Sequence, residues 1–116
     1  MNASHPIADL SSRRCARGAP ALDDAALAAL LPLVPDWRVD AGRLVREFTF
    51  RDFHETIAFV NALAWIVHRE DHHPHLSVGY DRCTVRWITH SAGNRVSEND
   101  VICAAKADAL VAGRTA

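Results

Sequence analysis

Residues 52–90 read DFHETIAFVNALAWIVHREDHHPHLSVGYDRCTVRWITH, and this stretch decides the fold. Its first part, from Asp52 to about His68, predicts a helix, because apolar residues recur there at helical spacing. Pro74 ends the helical pattern, since the residue before a proline avoids the helical conformation. The apolar stripe consists of Phe53, Ile57, Val60, Ala64 and Val67, and Phe59, Leu63 and Ile66 widen it.

The second part of the stretch predicts a β-hairpin. Its strands are Leu76–Tyr80 and Cys83–Thr89, and its turn is at Asp81 and Arg82. Successive side chains of a strand point to opposite faces, so the two faces of the predicted sheet differ. One face receives Cys83, Val85 and Trp87, and the other receives Thr84, Arg86 and Ile88.

The residues before this stretch predict one helix and two strands. A helix is expected over residues 25–31, because an alanine- and leucine-rich run follows Asp23 and Asp24. The strands Trp37–Asp40 and Arg43–Phe50 follow, joined by a short Ala-Gly turn.

A last helix is predicted to begin at Ser97 and to end at Gly113. The order of elements is therefore α-β-β-α-β-β-α. It indicates an α+β fold in which a four-stranded antiparallel sheet has helices packed on one face. The other face and the sheet edges are left to pair between subunits. We assign residues 21–116 to this domain and residues 1–20, which show no period, to a flexible N-terminal arm.

The composition fits a single domain, with 116 residues of which 49% are apolar. The 13 basic and 14 acidic side chains nearly balance, which argues against a surface for nucleic acid. No apolar run approaches the ~20 residues that a membrane-spanning helix needs. The three widely spaced cysteines argue against a disulfide framework and favour a reducing compartment, the cytoplasm. The first 20 residues share the composition of a transit peptide, but we interpret them as a disordered tail.

Histidines are concentrated in one region, since five of the seven lie from residue 68 to residue 90. His68 and His72 are four residues apart near a helix end, so they share one face. His72 and His73 precede the proline that stops the helix, and His90 ends the hairpin. A helix end and a sheet can bring two or three of these imidazoles into one cleft. Imidazole titrates near neutral pH, so we expect a proton-transfer site.

Two other interpretations of the cluster remain. As separate surface residues, the histidines would be solvated polar side chains without a common role. As metal ligands, His68 and His72 have the spacing of a two-ligand helical site, with His73 or His75 nearby. No Cys or Glu stands at a known ligand spacing, and the His-Glu-x-x-His form is absent. We therefore predict no metal.

The spacing of the cluster resembles the signature of the pterin-4a-carbinolamine dehydratases. The resemblance extends from about Leu22 to Leu110, and it includes Pro35-Asp36-Trp37 and residues 97–100. It implies the same α+β fold, in a family that pairs its sheets into homodimers and often homotetramers. The matching positions are His68, His72, His73, Pro74, Tyr80, His90 and Asp100.

The resemblance also implies an activity. Members dehydrate 4a-hydroxytetrahydropterin to quinonoid dihydropterin in the recycling of tetrahydrobiopterin, with no metal or redox cofactor. By position, His72 and His90 are the candidates for acid/base catalysis. His73 is the candidate for holding the pterin and for a supporting acid/base role.

Three further positions are assigned to substrate binding or to support of the catalytic histidines. His68 stands where the family often has an acid. Asp71 is expected to orient an imidazole. Asp100 matches the signature, but Ser97-x-x-Asp100 is also a helix capping box, so its role is open between the two. Trp87 is predicted to be a core or interface aromatic.

The sequence departs from the family in the loop that follows His90. Residues 90–97 are one residue longer than the usual link, and Asn94 and Arg95 replace a flexible glycine-rich pair. This departure leaves an alternative function, a non-catalytic binding protein on the same fold. Relatives serve as a dimerisation partner of a transcription factor, or as an assembly factor for Rubisco in carboxysome-containing bacteria. The retained histidines favour the enzyme.

Overall fold

The helices and strands follow one another in the predicted order in the computed structural model, which describes residues 10–113. Short 3₁₀ turns at Leu31–Leu33 and His90–Ala92 follow the first helix and the last strand. The elements are α1 (Asp24–Leu30), β1 (Arg38–Asp40), β2 (Arg43–Thr49), α2 (Phe53–Glu70), β3 (His75–Val78), β4 (Arg82–Trp87) and α3 (Glu98–Val111).

The four strands form one antiparallel sheet in the order β1-β2-β4-β3. Leu44 lies opposite Trp87, and Phe48 lies opposite Cys83. These four side chains are buried on the face that α2 and α3 cover. The other face carries charged side chains such as Glu47. The predicted α+β fold, with helices on one face of a four-stranded sheet, is confirmed.

Two aspartates set the ends of α2. Asp52 caps the N-terminus, because its side chain accepts a hydrogen bond from the backbone N–H of Glu55 at 2.9 Å. Asp71 adopts a φ of 52°, a left-handed conformation that stops the helix. The chain therefore leaves the helix in a new direction, and His72 lies towards β4 and α3.

The face of α2 that enters the core lies on one side of the predicted stripe, along the residues that widen it. Phe59 and Leu63 are buried, whereas Phe53 is 49% exposed and Trp65 is 76% exposed. Apolar residues surround most of this helix, so their spacing alone does not select the inward face. Neither α2 nor any other helix within residues 10–113 has the length and apolar character needed to cross a membrane.

Residues 10–20, for which the sequence predicts a flexible arm, lie against the domain in the structure. Leu10 is buried in the core, and the backbone N–H of Ala16 donates to Oδ1 of Asn99 at 2.9 Å. The arm sequence does not reveal this docking, because much of it uses backbone groups that every residue carries. Residues 1–9 of the predicted arm lie outside the described residues.

Candidate active site

His72 and Asp100, two of the predicted site residues, are in direct contact. Nε2 of His72 lies 2.6 Å from Oδ1 of Asp100. The Asp100 side chain is fully buried, while 12% of the His72 side chain is exposed. His72 is therefore the member of the pair that a ligand can reach.

The second carboxylate oxygen of Asp100 serves the start of α3. Oδ2 accepts hydrogen bonds from the backbone N–H of Ser97 at 2.8 Å and from Oγ1 of Thr89 at 2.7 Å. Together with the Ser97 side chain, this completes a capping box. The sequence left the role of Asp100 open between a cap and a site residue. In the structure one oxygen caps α3 and the other contacts His72.

The contact between His72 and Asp100 indicates which of the two side chains carries the shared hydrogen when Asp100 is ionised. An ionised carboxylate can only accept, so the shared hydrogen belongs to Nε2 of His72. Nδ1 of the neutral ring then carries no proton and can accept one. An imidazolium formed in this way would lie against the buried Asp100 carboxylate, which stabilises its positive charge.

A buried tryptophan supports the ring of His72. The rings of His72 and Trp87 are stacked, with 5.6 Å between their centroids and 6° between their planes. Trp87 is fully buried in the core, so it limits how far the imidazole can tilt. The sequence does not indicate this contact, because the two residues lie on different elements.

Asp71 does not take the orienting role expected of it. Its side chain is exposed, and within residues 10–113 no hydrogen bond joins it to an imidazole. Its left-handed backbone instead ends α2, and Asp100 contacts His72 in its place. Asp71 does line the pocket that opens beside His72.

This pocket has a volume of about 320 Å³. Sites for small molecules typically measure ~300–1,000 Å³, so the pocket is large enough for a compact ligand. The end of α2, the segment after β4 and the N-terminal arm form its walls. Its lining includes Cys15, Arg17, Asp71, His72, Thr89 and Ser91.

His90 begins the 3₁₀ turn after β4, and Asn94 holds its ring. Nδ1 of His90 lies 2.8 Å from Oδ1 of Asn94. The ring of His75 lies beside it, with 6.2 Å between the centroids. The family signature does not contain His75, so the only sequence signal was its place in the histidine-rich run. The chain neighbours of His90, which are Thr89 and Ser91, line the pocket beside His72, whereas His90 is not among the described residues that line it.

The loop that follows His90 supplies the partner of its ring. Asn94 adopts a φ of 57°, which is a left-handed conformation. The backbone N–H of Thr89 donates to the carbonyl of Arg95 at 3.0 Å and closes the loop. The loop thus brings an amide oxygen to the imidazole.

Replacing Asn94 with glycine should change the tautomer balance of neutral His90. The amide oxygen of Asn94 favours the Nδ1–H form, and glycine loses this acceptor while keeping the left-handed backbone. A hydrogen bond worth about 0.5–1 kcal/mol corresponds to a roughly two- to fivefold shift towards the Nε2–H form. Nitrogen NMR of the imidazole measures the ratio.

Asn94→Ala is the matched variant for this measurement. It should give the same tautomer shift and also lower the stability by about 1–2 kcal/mol, because alanine tolerates the left-handed conformation poorly. An unchanged tautomer ratio in both variants would contradict the assigned hydrogen bond.

His68 and His73 are both exposed, and neither side chain makes a hydrogen bond within residues 10–113. His68 lies on the outer side of the last turn of α2, beside Trp65 and Arg69. His73 follows His72 directly. Among the described residues, no group of three His, Cys, Asp or Glu side chains is arranged to hold a metal ion.

Comparison with known proteins gives a family match over most of the chain. Residues 20–110 match the family described as pterin 4 alpha carbinolamine dehydratase. A candidate pterin-4-alpha-carbinolamine dehydratase of Stenotrophomonas maltophilia is 58% identical over 91 residues, which cover 77% of this chain and 78% of the relative. One of Xanthomonas oryzae is 61% identical over 87 residues, which cover 73% of each chain. A crystal structure described as a transcriptional coactivator/pterin dehydratase from Brucella melitensis has a TM-score of 0.73 and 32% identity, and the match covers 78% of this chain and 97% of that one.

Proposed function

Because this chain belongs to the pterin-4a-carbinolamine dehydratase family, we propose that it dehydrates 4a-hydroxytetrahydropterin to quinonoid dihydropterin. It is an enzyme of the hydro-lyase class. We assign the reaction to the recycling of tetrahydrobiopterin. The observation that carries the proposal is the contact of His72 with buried Asp100 at the edge of a pocket.

The reaction removes one water molecule from the substrate. The 4a-hydroxyl leaves with an added proton, and a ring nitrogen of the pterin loses a proton. His72 suits the second task, because Asp100 holds its Nε2–H and leaves Nδ1 to accept. The carboxylate then stabilises the imidazolium that forms, as the aspartate does in a Ser-His-Asp triad.

His90 suits the donation of a proton to the hydroxyl. Asn94 accepts from Nδ1–H whether the ring is neutral or charged, so Nε2–H of the imidazolium is available to the leaving group. After one turnover, His72 holds one proton more and His90 one fewer. Exchange with water restores both. We assign His73 to holding the pterin. We propose no supporting role for His68, because it lies on the outer side of α2 and is not among the described residues that line the pocket beside His72.

The proposal is tested by following the dehydration of 4a-hydroxytetrahydropterin by absorbance. Purified protein should accelerate the reaction above its spontaneous rate at neutral pH, and heat-denatured protein should not. If purified protein gave a dehydration rate equal to the spontaneous rate, the dehydratase proposal would be wrong.

We further propose that the chain forms homodimers through the edge strand β3. Leu76 and Val78 are 37% and 44% exposed there, and an open strand edge pairs readily with another strand. The opposite edge, β1, is only three residues long and carries the charges of Arg38 and Asp40. The exposed Trp65 side of α2 would join dimers into homotetramers.

Val78→Lys should shift the dimer towards monomer, since it places a charge on the apolar edge. We expect the dissociation constant to rise at least about tenfold, or 1.4 kcal/mol. Size-exclusion chromatography with light scattering measures the monomer fraction. Val39→Lys is the matched control, because Val39 is 42% exposed on the opposite edge. If Val39→Lys dissociated the dimer and Val78→Lys did not, the dimer interface would have to be assigned to β1.

A binding protein on the same fold is the second candidate, and the Brucella structure described as a transcriptional coactivator favours it. In this role the β3 edge would carry a client such as Rubisco or a transcription factor. A neighbouring phenylalanine hydroxylase gene would support the enzyme, and neighbouring carboxysome genes would support the assembly role. In either role we assign the protein to the cytoplasm, because its three widely spaced cysteines argue against a disulfide framework.

A further inference from the structure

The N-terminal arm reaches the pocket beside His72 although it lies outside the region that defines the family. The family match begins at residue 20, whereas Cys15, Arg17 and Gly18 line the pocket. The arm therefore adds a wall that the family comparison does not describe.

Two buried side chains hold the arm in this position. Asn99 accepts from the backbone N–H of Ala16 at 2.9 Å and donates to the carbonyl of Ala16 at 2.8 Å. Oε1 of Glu70 accepts from the backbone N–H of Cys15 at 2.8 Å. Asn99 precedes Asp100 in the chain. The arm is thus attached to both elements that hold the His72–Asp100 pair.

The charge of Glu70 strengthens this attachment. Burial opposes ionisation of its carboxyl, but the Cys15 hydrogen bond and the nearby Lys106 and Arg14 charges outweigh burial. The pKa of Glu70 is therefore below its usual value. Nε of Arg14 lies 3.1 Å from Oε2 of the carboxylate. Glu70 is therefore ionised at neutral pH, and its carboxylate holds the arm through the hydrogen bond from the backbone N–H of Cys15.

We propose that Cys15–Gly18 form one wall of the substrate site and that Arg17 binds the pterin. Arg17 lines the pocket, and its guanidinium has no hydrogen-bond or ion-pair partner within residues 10–113. Its fork of N–H donors is free for the ring carbonyl of a reduced pterin. This inference rests on the proposed dehydratase function and adds a binding residue to it.

Cys15 provides a probe of the arm that does not depend on catalysis. Cys15 lines the pocket and is partly exposed, and its Sγ lies 3.5 Å from Sγ of Cys103. Cys103 is fully buried, and the contact with Cys15 together with burial raises the pKa of its thiol. Burial raises the pKa of the Cys83 thiol to about 11. Cys15 is therefore the thiol that an alkylating reagent should reach first.

The first test is alkylation of the full chain by iodoacetamide, with and without 7,8-dihydrobiopterin. Peptide mass spectrometry follows Cys15, and calorimetry confirms that the pterin is bound. We expect bound pterin to slow alkylation of Cys15 at least about fivefold, since a ligand in the pocket blocks the reagent's access to this residue. If the pterin binds and the rate is unchanged, the arm is not a wall of the site. If the pterin does not bind, the proposed function and this inference both fail.

The second test compares two arginines of the arm by kinetics. Arg17→Ala should raise KM for 4a-hydroxytetrahydropterin about five- to tenfold with kcat within about twofold, and Arg17→Lys should restore part of the loss. Arg13→Ala is the matched control, because Arg13 pairs with Glu98 at 3.3 Å. Equal KM values for Arg17→Ala and the unchanged protein would overturn the role of Arg17, whereas loss of kcat alone would place it in catalysis.

Discussion

His72→Ala should lower kcat for the dehydration of 4a-hydroxytetrahydropterin about 100- to 1,000-fold, the usual loss when a positioned acid/base group is removed. The imidazole is the group that Asp100 contacts through Nε2, and His72 lines the pocket. Because His72 acts on the proton that is transferred in the transition state, the loss of its imidazole should leave KM nearly unchanged. Steady-state absorbance kinetics over a range of substrate concentrations separates the two constants.

His54→Ala is the control for this variant. His54 lies in the first turn of α2 and is exposed, far along the helix from His72. Its replacement should leave kcat within about twofold. If His72→Ala retained a kcat within about threefold of the unchanged protein, another residue would have to be the base.

Asp100→Asn should be nearly as damaging, and it should also lower stability. An asparagine amide has one accepting oxygen, whereas Asp100 accepts from His72 on one side and from Ser97 and Thr89 on the other. One of these sides must then face an NH₂ group. If it is the His72 side, the ring is forced into the wrong tautomer, so kcat should fall about 100-fold or more. Loss of buried hydrogen bonds should lower the free energy of unfolding by about 2–4 kcal/mol.

Ser97→Ala separates the two roles of Asp100. It weakens the cap of α3 but leaves the contact between Asp100 and His72. We expect a loss of about 1–2 kcal/mol in denaturant unfolding with kcat nearly unchanged. If Asp100→Asn lowered the stability as much as Ser97→Ala does but kept its kcat, Asp100 would serve only to cap α3.

The fold follows from sequence wherever one period dominates. The alternation through Cys83, Val85 and Trp87 predicts the inward face of β4, and these residues are fully buried. On α2 the pattern is less exact, because Phe53 of the predicted stripe is exposed, whereas Phe59 and Leu63, which widen the stripe, are buried. Periodicity reports that a face is apolar and not whether this chain or a partner covers it.

The candidate site, like the fold, could be predicted from the sequence only in part. The spacing of the signature selected His72 and Asp100, which the structure brings into contact, while their catalytic roles stay predictions. It did not identify Trp87 as the neighbour of the His72 ring, since a core position explains a tryptophan equally well. The sequence identified Asn94 only as a departure from the family in the loop after His90, because a hydrogen bond between two loop residues has no signal in the sequence pattern.

The docked arm also bears on where this domain should be said to begin. Sequence similarity sets the boundary at residue 20, yet Leu10 belongs to the hydrophobic core. A fragment cut at that boundary would open a gap where Leu10 packs and would leave the buried carboxylate of Glu70 without its backbone donor. Such a fragment could retain every residue of the signature and still be a less stable protein with a wider binding site.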